Sequence, residues 1–132
     1  MTERIEQEVI LLRKYFPDLL IDEGARWILI PNYGLPTGMC WNKNSMDICI
    51  EIRPGYPGTH PYGIYVPSDL RYDGKELLSW QRLANNKPSF PGEWAMISWS
   101  PEGQWIPGSE IVKGSNLLNF VLSFTDRFKE GQ

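Results

Sequence analysis

Histidine and cysteine are scarce in this chain of 132 residues, which has one histidine, His60, and two cysteines, Cys40 and Cys49. A structural zinc site takes four nitrogen or sulfur ligands at short spacings, and no such set exists here. No metal and no cofactor are expected. The first residues, MTERIEQEVILLRKYF, interleave charges with apolar side chains, unlike the uninterrupted apolar core of a signal peptide. Two cysteines without such a signal read as reduced thiols, and a cytoplasmic location is the expectation. No apolar run approaches the roughly 20 residues of a membrane span, so no membrane partner is expected. Basic residues are neither clustered nor in excess: 13 Lys and Arg face 16 Asp and Glu, a net charge of -3, which argues against nucleic acid. Repeats, low-complexity tracts and linkers are also missing, and one domain spanning residues 1–132 is expected, large enough to bury a core without staples.

What the chain does have is a dense stretch from Gly92 to Pro107, GEWAMISWSPEGQWIP, with three of its six tryptophans, Trp94, Trp99 and Trp105. Loops so rich in aromatic and small polar residues are often sites. Indoles that close one end of a small core account for the same composition. Before this stretch, Glu3 to Phe16 reads as an amphipathic helix: Thr2 is a suitable N-cap, Glu3 and Glu6 suit the positive end, and Ile5, Val9, Leu12 and Phe16 recur at helical spacing. Pro17 ends it. The run ARWILI, bounded by Pro31, reads as a strand, and Thr37 to Trp41 as a weaker one before the turn-forming NKNS. Met46, Ile48, Ile50 and Ile52 then alternate with Asp47, Cys49 and Glu51, the strongest strand signal in the chain. That pattern predicts one core face and one wetter face, with Cys49 partly covered on the latter and Cys40 on a neighbouring strand. Both cysteines read as small packing residues.

Arg53 to Pro61, RPGYPGTHP, must fold as a tight corner, because each proline sets its own φ and restricts the residue before it. Gly63 to Pro67 reads as a fourth strand, Asp73-Gly74 as a turn, Glu76 to Leu83 as a marginal helical piece and Asn85 to Gly92 as a loop. Ser115 reads as the N-cap of a final helix, Asn116 to Phe128, whose Leu117, Phe120, Val121, Phe124 and Phe128 share one face. A helix, four strands with short connections, an irregular segment and a helix predict an α+β domain with an antiparallel meander covered on one face.

This order and punctuation resemble the ubiquitin-conjugating enzyme fold. The matching residues are IRPGYPGTHP for the proline-rich corner, Trp105-Ile106-Pro107 for a Trp-x-Pro element, and the helix that follows. WAMISWSPEGQWIPG is similar to the Trp-x-x-x-Ser…Trp-x-Pro-Gly signature of the bacterial branch called prokaryotic family E, and the likeness covers nearly the whole chain. It implies acyl transfer: a ubiquitin-like protein's C-terminus is taken from an activating enzyme, held as an ester and passed to an amine of a target protein. The eukaryotic family uses cysteine a few residues before the Trp-x-Pro element, but this chain has none after Cys49. The resemblance implies Ser98 in its place, and an oxyester as the intermediate.

A serine hydroxyl needs a base at neutral pH. Candidates are His60, the only imidazole, and the carboxylates of Asp73, Glu93 and Glu102. The branch pattern carries a histidine two residues after the serine, where this chain has Ser100. A lone histidine beside proline in a corner is more often structural than catalytic. Asn85 and Asn86 lie upstream of the serine, where the eukaryotic family places an oxyanion-supporting asparagine, though at longer spacing; their plain reading is as loop residues. Two functions stand side by side: an acyl transferase using Ser98, and a catalytically inactive module that binds the ubiquitin-like protein or the activating enzyme. A small serine hydrolase using Ser98 and His60 is a third, without the GxSxG turn it would need.

Overall fold

The computed structural model describes residues 2–101 and 103–132. Helix α1 (Glu3–Tyr15) starts where expected: Thr2 Oγ1 accepts the Ile5 N–H at 3.2 Å, Glu3 and Glu6 occupy the first turn, and Arg13 and Lys14 the last. Its buried face, Ile5, Val9 and Leu12, lies on a six-stranded antiparallel sheet. The strands are β1 (Leu20–Ile21), β2 (Trp27–Gly34), β3 (Ser45–Glu51), β4 (Ile64–Pro67), β5 (Trp80–Arg82) and β6 (Trp94–Ile97). They lie in the order β1-β2-β3-β4-β6-β5, so β6 inserts between β4 and the edge strand β5.

The predicted meander is therefore extended by three strands and redrawn in places. Strand β2 continues past Pro31 to Gly34, because a bulge between Ile30 and Tyr33, with Asn32 at φ 55°, accommodates a residue that cannot donate to the ladder. Residues 37 to 41 form no strand: Gly38 turns the chain at φ 76°, and only Trp41 makes an isolated bridge, to Tyr72. Glu76 to Leu83 is not helical but leads into β5, which pairs Trp80 with Ile97. The last helix is two, α2 (Leu117–Leu122) and α3 (Phe124–Lys129), and its cap is Asn116, whose Oδ1 accepts the Asn119 N–H at 2.8 Å. Ser115 instead accepts the Ile106 N–H at 2.9 Å, holding the end of the Trp-x-Pro turn.

Both sheet faces are covered. Ile28, Ile30, Ile48, Ile50, Ile64, Val66 and Ile97 meet the helices in the main core. On the other face Trp27, Leu29, Cys49 and Tyr65 form a second cluster, roofed by Leu83, Phe90, Trp94 and Met96 from β6 and the segment before it. Cys49 is thus fully buried, not half-wet, and burial followed by the charge of Asp47 pushes its thiol well up. Cys40 is exposed and off the strands.

The proline corner and the Trp-x-Pro element meet. Trp105 Nε1 donates to the Pro57 carbonyl at 2.7 Å, and its ring lies 6.0 Å from that of Tyr56. Tyr56 donates its hydroxyl to Glu8, a carboxylate 1 % exposed that also accepts from Arg4 Nε at 2.7 Å and from the Leu117 N–H at 2.7 Å. One buried acid thereby joins α1, the corner and α2. A Cβ on Gly114 would stand 2.6 Å from the Gly108 nitrogen and 2.7 Å from the Ile106 carbonyl oxygen, so the turn after Pro107 closes backbone on backbone.

Candidate functional site

Strand β6 ends at Ile97, and the chain leaves the sheet through Ser98, Trp99 and Ser100. Side chains alternate along a strand, so Ile97 enters the main core while Met96 and Ser98 face the opposite side. Ser98 is half-buried, with its main chain held by the edge: its N–H donates to the Ser79 carbonyl at 3.3 Å. Its Oγ accepts from Gln81 Nε2 at 3.1 Å. Trp99 is anchored on both sides, its carbonyl accepting the Gly63 N–H at 2.7 Å and its indole donating to Ser123 Oγ at 2.9 Å. Gly63 has φ 86°, and a Cβ there would lie 2.6 Å from the Met96 sulfur, so the strand beside the site needs glycine.

Tyr62, Ser98, Trp99, Ser100 and Pro101 line an open pocket of about 340 Å³. Ser98 and Ser100 are thus brought together. His60 does not line this pocket; it is exposed in the corner, with Nδ1 2.8 Å from the Pro61 carbonyl oxygen, a contact that makes Nδ1 the protonated nitrogen. Glu93 precedes β6 and lines a different cavity, with Asp47 and Asp69. The four residues of β6 separate it from Ser98, five steps and about 16 Å at the usual rise. Asp73 stands at φ 51° in the Tyr72–Lys75 turn, its N–H on the Cys40 carbonyl. Glu102 lies outside the described residues. Asn86 is committed elsewhere: its amide bridges Glu51, at 3.2 Å, and Arg26, at 3.1 Å. Asn85 is exposed and, among the described residues, makes no side-chain hydrogen bond to Ser98.

Three residues absent from the sequence reading belong here. Tyr62 follows the corner and supplies a phenol to the pocket rim. Gln81 and Ser79 come from β5 and its approach, where the sequence predicts a marginal helix, and only the pairing of β5 with β6 brings them to Ser98. Ser79 holds φ 63°, a left-handed conformation that costs a non-glycine residue of order 1–3 kcal/mol and clusters at functional sites. The indoles of the tryptophan-rich stretch are framework, as expected, but on both faces: Trp94 roofs the second cluster, while Trp99 and Trp105 pack on the main core.

A sheet with helices at both chain ends, a corner locked to a Trp-x-Pro turn, and a half-buried serine where the chain leaves β6 define an α+β domain with its candidate site on the loop between sheet and C-terminal helices. The family model described as prokaryotic E2 family E matches residues 10–118, most of the chain, and this protein belongs to that family. The matched span holds the corner, Ser98 and the Trp-x-Pro element. Neither the comparison with curated proteins nor that with solved structures yields a match. Membership carries a conjugating-enzyme-like role in a bacterial pathway, and with it dealings with a ubiquitin-like protein and an activating enzyme. No helix among the described residues is long and apolar enough to cross a membrane.

Proposed function

We propose that this protein accepts the C-terminal acyl group of a ubiquitin-like protein on Ser98, as an oxyester, and passes it to an amine of a target protein. The observation that carries the reading is the setting of Ser98 Oγ: half-buried, at the edge of an open pocket and fed by an amide donor on its oxygen. In the first step Oγ attacks the carbonyl carbon of the thioester carried by the activating enzyme. The C–O bond forms, the C–S bond breaks, and the hydroxyl proton passes to the departing thiolate by way of solvent. In the second a target amine attacks the ester carbonyl, the C–N bond forms, the C–O bond to Ser98 Oγ breaks, and the proton given up by the amine returns to Ser98. The leaving thiolate is the final proton acceptor of the first step, so the proton balance of the transfer closes.

Incubation with the cognate activating enzyme, its ubiquitin-like protein and ATP tests the reading. A covalent adduct is expected that resists thiols, yields to alkali or hydroxylamine, and is lost in Ser98→Ala; a wild-type protein that never forms one overturns it.

A second reading, a catalytically inactive module that binds the ubiquitin-like protein or activating enzyme, draws support from His60, whose ring turns onto its own corner. It predicts a complex of unchanged affinity in Ser98→Ala, with no adduct in either protein.

A further inference from the structure

We propose that Gln81 is the positioning residue for Ser98, holding its oxygen ready for acyl uptake. The inference rests on the acyl-acceptor reading and adds the group that organises the acceptor. Gln81 is exposed, so its side chain serves no core, and its one side-chain bond among the described residues is the 3.1 Å contact from Nε2 to Ser98 Oγ. The strand register makes the contact systematic: Gln81 pairs with Met96, on the face that Ser98 shares, and the Ser98 N–H bonds the carbonyl of Ser79, two residues before Gln81. Main chain and side chain of the serine are therefore both held from β5, the edge strand that the predicted meander lacked. Ser79, which supplies the carbonyl of this clamp just before β5, is held at φ 63°.

The direction of the bond decides its chemistry. An amide N–H donated to the hydroxyl oxygen occupies one lone pair and leaves the proton free to depart. As that proton departs and negative charge grows on Oγ, the same donor strengthens, and it needs no reorganisation because it is already in place. Of the amides that spacing nominated, Asn86 is spent on Arg26 and Glu51, and Asn85 makes no side-chain hydrogen bond to Ser98 among the described residues.

Two measurements decide the matter. In nitrogen-correlated proton spectra, Ser98→Ala should shift the side-chain amide protons of Gln81 and leave those of Asn86 in place; an unmoved Gln81 signal overturns the proposal, whatever the adduct assay gives. In that assay Gln81→Met, which keeps the length and removes the donor, should slow adduct formation at saturating charged activating enzyme by about a hundredfold, the scale of one lost donor to a developing charge. The concentration giving half-maximal rate should stay the same, as should the thermal midpoint of the exposed-site variant. A wild-type rate in Gln81→Met overturns the proposal while leaving Ser98 as acceptor. A raised rate overturns it equally, because it means that the amide carbonyl faces the hydroxyl and restrains its proton. A wild type that forms no adduct overturns the acyl-acceptor reading itself and this role with it.

Discussion

Glu8 shows how much one side chain can organise without advertising it. On a short N-terminal helix that also carries Glu3, Arg4 and Glu6, a fourth charge reads as one more solvated residue, and nothing local to α1 distinguishes it. Its burial is caused by partners far along the chain: the Tyr56 hydroxyl 48 residues away and the Leu117 N–H 109 residues away. Burial and then the Glu8 charge push the Tyr56 phenol well up, so that hydroxyl stays a donor throughout the working range. Replacing Glu8 with Gln keeps the shape but removes the charge that pairs Arg4, whose guanidinium is largely covered and also reaches the carbonyls of Gly108 and Ser115. Breaking a buried pair by removing one partner costs about 3–5 kcal/mol. Urea unfolding of Glu8→Gln should move to a lower midpoint by that free energy with an unchanged slope; a midpoint within error of wild type would show that the carboxylate is dispensable. Ser98 is the opposite case. Its position was legible from the order of motifs around it, while its partners were not, because Gln81 and Ser79 reach it only through a strand pairing.

The elements divide by how much of their identity is local. Strand β3 is readable because Met46, Ile48 and Ile50 alternate along it and Ile52 continues the pattern one residue past its end, and α1 because its cap, charges and apolar spacing agree. Strands β5 and β6 have three and four residues, too few to carry a period; β6 takes its ladder from β4, and β5 takes its own from β6. The second cluster is hidden in the sequence for the same reason, since it needs β6 to extend the sheet face that carries Cys49, and Leu83 and Phe90 of the segment before β6 to pack on it. The broken C-terminal helix has its cause in one residue. Ser123 Oγ donates to the Phe120 carbonyl at 2.6 Å and accepts the Trp99 indole N–H at 2.9 Å, while its own N–H is shared between Asn119 and Phe120. Such back-bonding tightens a turn and bends a helix. Ser123→Ala removes the acceptor of a half-buried indole, a loss of about 1–3 kcal/mol. It should lower the thermal midpoint and change the near-ultraviolet dichroism of Trp99; an unchanged midpoint would mean that the junction does not depend on this contact. Because Trp99 adjoins Ser98, adduct formation should slow in the same variant.

At the scale of the whole molecule, two cores on one sheet bury neutral acids on both faces, and the pH response of the fold follows from them. Cys49 and Tyr65 lie in the smaller cluster, Tyr33 and Tyr56 in the larger, and burial is the leading cause that raises all four. Tyr65 is pushed up to about 12, by burial first and then by the charge of Glu51. A group whose folded value is raised keeps its proton in the native state after the unfolded chain has released it, so stability falls as pH rises. For Tyr65 the contribution is complete below its ordinary value of 10.0 and is lost as pH climbs through about 12. Asp22 acts at the other end. Burial alone would raise it, but the N–H groups of Trp27 and Arg26 and the Ser89 hydroxyl together hold it below the ordinary carboxylate value, so its contribution is present at neutral pH and fades as acid protonates it. The fold should therefore be most stable between these limits, with an alkaline edge that begins near pH 9, the ordinary value of the Cys49 thiol, and steepens past 10 where the tyrosines follow. Thermal midpoints recorded from neutral pH to above that edge should decline, and in Tyr65→Phe the decline should be shallower because one of the four protons is gone. A Tyr65→Phe profile that falls as steeply as wild type would assign the alkaline edge to Tyr56, Tyr33 and Cys49 alone, and would mean that ionisation of Tyr65 is accommodated beside Glu51 without loss of the second core.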